Sequence, residues 1–589
     1  MEGRAMVGIY FEGRQIILPG TYATTKVEAF NIQRPPLFKR LAVIAPARGG
    51  VPRGFTRITS GSEAARKLRG GVGLALVDLA LDPSREMPGA GEILFYRVNA
   101  AVPASLDMGD LRLEAKPEHA GIYSNGFRAK RELHPDGYYL LWVEDPASGV
   151  LEESPPLGPA LELSYYGTGT PSAQITTDTE GQKHLVLQGA APYENHDILI
   201  GGSGIKTVQE LADFLNGTSV WGARVLHKHH LYDPGGFPDG ALTFSSGKAI
   251  LDLGLSAQLQ WLKASTLVTA TPTGGTDTAT GMGWLYFSGG NEGPPVTLGD
   301  YEAALAALEA EDVQAVVVGS PDPAVQAMAV AHCEYMSHPK QRKERIFFGG
   351  PGLEANAQAQ KDAAIALARE LQSERAVVVG TPVRRRNLRT GQVEDLPPLF
   401  VAAMLAGMWA AARPELPLTN KTVYAQGLTY RYTQADLEDF LKEGVVPIAQ
   451  DPENGSYIIV QGITTWRKDT NPMRRKLQGV SIRDYLTRKL RLYTKKFVGA
   501  VGDSTTVESI LNAVETALAE EVRGGRNPEG VLTTGTGPDG EPEPAYKNIT
   551  AVFDGIELVA VEFEAHPVGE VAYITLTAFL TPTRIVRSA

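Results

Sequence analysis

Several stretches of the chain hold residue types that carry chemistry in other proteins. "HKHH" packs His227, His229 and His230 into four residues, and imidazole is a good metal ligand. A metal needs several converging ligands, and no acidic residue is spaced here to help, so the run does not read as a metal site. "GGSG" sets Gly201, Gly202 and Gly204 between a strand-like and a helix-like segment, where bare backbone amides could cradle a phosphate. The spacing is not GxGxxG, and GxxxxGK[ST] occurs nowhere, so a plain turn into a helix is the better reading. "GGPG" at 349–352 reads the same way. His332 and Cys333 are neighbours in a predicted helix, where adjacent side chains point about 100° apart and do not face each other. A buried core cysteine fits better than a nucleophile. The carboxylate pairs Glu152–Glu153 and Glu520–Glu521 read as solvated surface. With no GxSxG elbow and no HExxH, no catalytic, cofactor or metal site is expected.

Charge gives one sharper feature. The 589-residue chain has a net charge of −11, which argues against a general nucleic-acid binder. Yet residues 467–496 hold eleven Lys and Arg against two Asp. Within "IRDYLTRKLRLYTKKF", Ile482, Leu486, Leu490, Tyr493 and Phe497 recur at helical spacing as a core stripe. Arg488, Arg491 and Lys495 fall on the opposite side, either as a solvated face or as a docking surface for an acidic partner. The single cysteine rules out an intramolecular disulfide. The start of the sequence lacks a signal-peptide pattern, and the longest apolar run, "LFVAAMLAGMWAAA", suits a buried helix rather than a membrane span. A soluble protein made in a cytoplasm is expected.

The elements that would position these groups alternate in texture. "LAVIAPA" and "EILFYRVN" read as strands around a short helix. From 101 to about 190, short alternating strands separated by Gly, Pro and Asp turns suggest a small β-rich domain, with two helices before the chain returns near 268. From 299, "YEAALAALEAE", "VQAVVVG", "PAVQAMAVAHCEYMS", "RIFFGG", "ANAQAQKDAAIALARELQ" and "RAVVVG" alternate helix and strand, the signature of a sheet with covering helices. From 422 the texture turns α+β, with long helices at 482–497 and 506–522. Both chain ends look like strands that run past the compact patterns. In the last stretch Ile574, Leu576, Ala578 and Leu580 alternate with Tyr573, Thr575, Thr577 and Phe579. Such a strand needs a partner for its backbone groups, within its own molecule or in another.

Taken in order, these segments resemble the contractile tail sheath proteins of bacteriophages and related contractile injection systems. The resemblance rests on "GGTDTATG" ahead of "YEAALAALEAEDVQAVVV", then "LPPLFVAAMLAGMWAAARPELPLTNKTV", "NGSYIIVQGITT" and "IRDYLTRKLRLYTKKFVG". "AGIYSNGFRAKREL" is similar to a Gly…Asn motif near the start of the family's variable outer domain. The resemblance implies an α/β and α+β multidomain chain. Its expected parts are an N-terminal linker arm (1–30), a core sheath domain in two pieces (31–100 and 268–421), an inserted β-rich outer domain (101–267), a C-terminal sheath domain (422–565) and a C-terminal linker arm (566–589). It also implies a structural subunit that polymerises helically around a tail tube. Contraction without nucleotide then drives the tube through the host envelope. Expected partners are other sheath subunits, the tail tube protein, and the baseplate and tail terminator proteins, with no direct nucleic acid, no membrane insertion and no cofactor. The expected place is the virion tail, assembled in the host cytoplasm. Tyr573, Ile574, Thr575, Leu576, Thr577 and Phe579 would form the inter-subunit strand, with hinges near 27–34 and 565–569. Arg488, Arg491 and Lys495 would dock the tube or a neighbour. Two other readings stay open at this point: an α/β enzyme binding a nucleotide or sugar, and a static virion component.

Overall fold

A computed structural model describes residues 39–274, 281–387, 389–524, 527–537 and 539–573, and the backbone of 9–11 and 14–16, which form a short hairpin. The centre is a seven-stranded sheet. Its strands are β1 (Leu41–Ala45), β2 (Phe55–Ile58), β3 (Ile93–Arg97), β4 (Ala315–Val318), β5 (Ile346–Gly349), β6 (Ala376–Val379) and β7 (Val445–Val446). They lie in the order β7-β6-β5-β4-β1-β3-β2, parallel throughout except for β2. "LAVIA", "AVVV" and "IFFG" are apolar at nearly every position because a parallel sheet is covered on both faces. Leu41, Val43 and Ala45 enter the core on one face, and Ala42 and Ile44 the core on the other.

Helices α1 (Gly71–Leu81) and α5 (Pro398–Ala411) cover the first face. Helices α2 (Leu298–Leu308) and α3 (Pro323–Ser337) cover the second, and α4 (Ala357–Leu371) packs near β6 and β7. α5 is the expected buried helix, apolar on every side and enclosed between α1 and the sheet.

Between β3 and β4 the chain builds a β-rich segment with its own core, running from Ala104 to Phe287. This carries it past the expected limit at 267. Val268–Pro272 pairs with Leu111–Ala115, and Met282–Tyr286 pairs with Arg128–Leu133. Those strands complete sheets begun far earlier in the chain, a long-range pairing that local texture does not reveal. The central body likewise runs past 421. β7 joins its sheet edge, and Ile448, Ile459, Ile463, Leu477 and Val480 share the core of α5.

Two arginines, Arg97 buried and Arg69 partly so, tie the β-rich segment to the centre. Arg97 donates to the carbonyls of Gly50 (2.8 Å) and Ala120 (2.7 Å) and to Glu292 (2.8 Å). Arg69 donates to the Tyr123 hydroxyl at 2.6 Å and lies 3.4 Å from the buried Asp145.

The last body has its own core around Ile482, Tyr485, Val514 and Leu518. It contains α6 (Leu477–Thr494), α7 (Ser504–Ala519) and an antiparallel hairpin of β8 (Tyr546–Phe553) and β9 (Val559–Ala565).

Candidate assembly surfaces

The sequence motifs that suggested chemistry are consumed by local structure. Gly201 and Gly202 take φ of +70° and +47°. The Gly201 amide donates to the Ile205 carbonyl and the Gly204 amide to that of Gly201, both at 2.7 Å. The turn spends these amides on itself, and Thr207 caps the helix that follows. At 349–352, buried Gln326 exchanges two hydrogen bonds with the Gly350 backbone, at 2.9 and 3.1 Å.

The three histidines of "HKHH" diverge. His229 is buried, with Nδ1 2.9 Å from the Leu226 carbonyl, whereas His230 meets Gln209 at 2.7 Å and His227 leans on the Tyr138 ring. Among the described residues no group of three or more His, Cys, Asp or Glu could hold a metal.

His332 and Cys333 are both buried. Arg345 donates to the His332 ring at 2.8 Å. Burial, reinforced by that guanidinium, pushes the imidazole pKa down to about 4. Burial pushes the Cys333 thiol up to about 12, so it stays protonated.

The carboxylate pairs correct the surface reading. Glu521 is buried and receives Lys489 Nζ at 2.5 Å and the Tyr485 hydroxyl at 3.0 Å; Glu520 lies 3.0 Å from the same lysine. Lys489 is itself only 1% exposed. It sits four residues beyond buried Tyr485, inside the stripe that sequence spacing marked as apolar. That intruding lysine was the available signal that an acid waits opposite. Glu152 accepts from Ser265 and Thr266, each at 2.6 Å, while Glu153 is exposed.

Of the three cations expected to dock a partner, two are engaged within the chain. Arg488 lies 2.5 Å from Asp312 and 3.1 Å from Glu344, and Arg491 2.5 Å from Glu344. Burial alone would raise the Glu344 carboxyl, but Arg491 and Arg488 outweigh it and hold its pKa below the usual carboxylate range. Arg375 pairs with Asp484, and Arg483 reaches Glu374 at 2.8 Å. These pairs fasten α6 to the central body. Lys495 and Lys496 stand exposed past the end of α6. No carboxylate lies within salt-bridge reach of either among the described residues.

Of the expected inter-subunit strand, only Tyr573 lies within the described residues, and it is 83% exposed. Ile574, Thr575, Leu576, Thr577 and Phe579 lie outside them, as does the hinge expected at 27–34. The stretch at 565–569 is held, not loose. The His566 amide donates to the Ala545 carbonyl, its carbonyl accepts from Thr533, and the Val568 amide donates to Val531. Glu570 follows, its side chain 2% exposed and 3.2 Å from Lys476.

Lys39 donates to the carbonyls of Trp409 and Ala412 at 3.1 and 2.8 Å and lies over the Trp409 ring. Burial drives its pKa down to about 7, with Glu415 pulling the other way. The hairpin of β8 and β9 packs its inner residues on the α6/α7 core. It is a two-stranded sheet, so neither outer edge has a strand partner among the described residues.

Residues 295–465 match the family described as the phage tail sheath protein central domain. Over 538 residues the chain is 25% identical to a tail sheath protein of Bacillus phage SP01, covering 88% of this chain and 90% of that one. It is 27% identical over 254 residues to a tail sheath protein of Mycobacterium phage Bxz1, covering 40% and 41% of the two chains. In fold it is similar to the solved sheath tail protein of Desulfitobacterium hafniense, with a TM-score of 0.50 and 17% identity over 93% of this chain and 100% of that one. The matched residues run from α2 through β7 and stop before α6. No helix among the described residues is long and apolar enough to cross a membrane.

Proposed function

We propose that the chain is the structural subunit of a contractile tail sheath. It polymerises as a helix around a tail tube and contracts without nucleotide, driving the tube through the host envelope. The observation that carries this reading is the hairpin of β8 and β9. It offers two strand edges that have no strand partner among the described residues, while the sequence supplies an alternating apolar pattern beyond Val571. Strand addition between copies would satisfy both. Each main-chain hydrogen bond adds roughly 1 kcal/mol net, and the side-chain alternation fixes register. The "YITLTAF" strand of one subunit would thus lie on the hairpin of another, as would part of the segment before residue 27. The partners are other sheath subunits, the tail tube protein, and baseplate and terminator proteins. The place is the virion tail, assembled in a host cytoplasm.

The enzyme reading loses its support because the glycine turns spend amides internally and the His–Cys pair is buried. Electron microscopy of the purified protein tests the proposal. Long hollow polymers are expected from the whole chain, and a folded body without polymers from a chain cut before Val571. Polymers of normal length from the cut chain would refute strand addition. A cut chain that unfolds would place the strand in its own core.

A further inference from the structure

A cleft of about 1150 Å3 lies where the central sheet meets the β-rich segment. One wall is β2 and the following helix Gly61–Leu68; the other includes Lys116, His119 and Val150. β2 is the end strand of the central sheet, and Val150–Glu153 is the end strand of its own four-stranded sheet. Two sheet edges therefore border one cleft. Its lining carries Arg57, Arg66, Lys67, Arg69 and Lys116 against the single acid Glu118, in a chain whose net charge is −11.

Three of these cations are occupied. Lys67 lies 2.7 Å from Glu63, Arg69 is held by Tyr123 and Asp145, and Arg57 lies 3.9 Å from Glu92. Arg66 and Lys116 meet no carboxylate within salt-bridge reach among the described residues.

A matching pair of opposite sign stands in the last body. Gly535–Thr536 and Pro542–Glu543 form a small antiparallel hairpin. Beside it the Gly537 amide donates to the Glu541 carbonyl at 2.8 Å, and Gly540 takes a φ of +85°. The tip exposes Asp539 and Glu541. Glu543 is spent on Lys547 at 2.8 Å, but neither tip carboxylate has a cation in reach among the described residues. Among the described residues no hydrogen bond or ion pair joins tip and cleft within one chain.

We infer that the acidic tip of one copy docks in the basic cleft of a neighbouring copy, setting Asp539 and Glu541 against Arg66 and Lys116. This rests on the proposed polymer, and it adds a charge-based contact distinct from strand addition. Such contacts are individually weak and salt-sensitive, which suits a joint that must let go when subunits repack.

Charge exchange tests it. Arg66→Glu with Lys116→Glu, and separately Asp539→Lys with Glu541→Lys, should each raise the concentration needed for assembly by about tenfold. All four changes together should bring it back toward wild type. Wild-type assembly by either double variant, or failure of the four-fold variant to recover, overturns the inference. A second measurement does not need polymers. Protein carrying Lys116→Cys, mixed with protein carrying Glu541→Cys under mild oxidation, should give a disulfide-linked heterodimer that high salt suppresses. Absence of the heterodimer overturns the contact. A heterodimer from a chain whose wild type never polymerises would keep the contact and refute the sheath reading.

Discussion

Lys476 and Glu570 lie 3.2 Å apart, and the glutamate side chain is almost fully enclosed. Thr419 donates to the same carboxylate at 3.3 Å and Gln461 at 3.5 Å. Glu570 is therefore clamped three residues before Tyr573, the last described residue. Lys39 is fixed to the C-terminal carbonyls of α5, a few residues before Thr419. Lys39 and Glu570 are thus both anchored beside the stretch from Ala412 to Thr419. If the arms link subunits, load passes from one arm to the other through that stretch, and bending falls beyond Glu570.

The clamp predicts a local effect. Glu570→Gln keeps the shape and removes the charge, leaving Lys476 without its partner at a cost of about 1–3 kcal/mol. Hydrogen exchange should quicken at 566–573 while the central sheet stays protected. Unchanged protection at 566–573 would show that the pair does not hold the chain end.

Glu344 predicts a pH dependence. Its folded pKa lies below the unfolded value, which is about 4.3. The pairing therefore contributes its full stability above that value and loses it as pH falls through the folded pKa. Wild type should keep α6 docked at neutral pH and release it in acid below about pH 4.3. Glu344→Gln should lose about 1–3 kcal/mol at neutral pH, the cost of leaving its partners unsatisfied, and show a flatter acid transition. Stability followed by denaturant titration at several pH values checks this, and parallel acid profiles for variant and wild type would refute it.

Much of the fold was legible because its signals are local. β1, β4 and β6 are short continuous apolar runs, and α5 is apolar all round, so each announced burial by composition. The limits of the bodies were less legible. Val268 and Met282 pair with strands more than a hundred residues earlier, and Val445 closes the far sheet edge. Ion pairs were the hardest. Helical spacing put Arg488 and Arg491 on a polar face, which is correct, but it carries no information about Glu344 and Asp312 on another element. Lys489 carried a signal that the sequence reading missed, since a lysine within an apolar stripe calls for a buried acid, and Glu520–Glu521 read as solvated surface.

Gly407 reverses the usual helix rule. Replacing glycine by alanine inside a helix ordinarily stabilises by about 1 kcal/mol. Here an added Cβ would lie 2.1 Å from the Ala80 carbonyl oxygen, on the backbone of α1. Backbone cannot swing aside, so α1 and α5 would have to separate. Gly407→Ala is expected to destabilise by about 1–3 kcal/mol or more, read as a lower thermal midpoint. A higher midpoint would mean the two helices are free to shift.

Cys333 should be silent in the folded protein. The thiol is fully buried and held protonated, so a thiol reagent at pH 8 finds neither access nor thiolate. Expected labelling is none in buffer and one equivalent in denaturant. Rapid labelling of the native protein would show that α3 opens away from the sheet.

The proposed contact with a tail tube is best tested at Lys495 and Lys496. Reversing Arg488, Arg491 and Lys495 together would not isolate it, because the two arginines hold α6 to Glu344 and Asp312. Lys495 and Lys496 are exposed and lie past the helix, so reversing them leaves those pairs intact. A sheath must grip its tube and later release it, and exposed charge pairs of about 0.2–1 kcal/mol each can do both when summed over many subunits. Lys495→Glu with Lys496→Glu should therefore leave the melting temperature within error and leave self-assembly intact. Assembly around tail tubes should fall, most clearly at low salt, where charge contacts are least screened. Loss of self-assembly would assign the pair to a sheath–sheath contact. Normal assembly around tubes at every salt concentration would return these lysines to a solvated role.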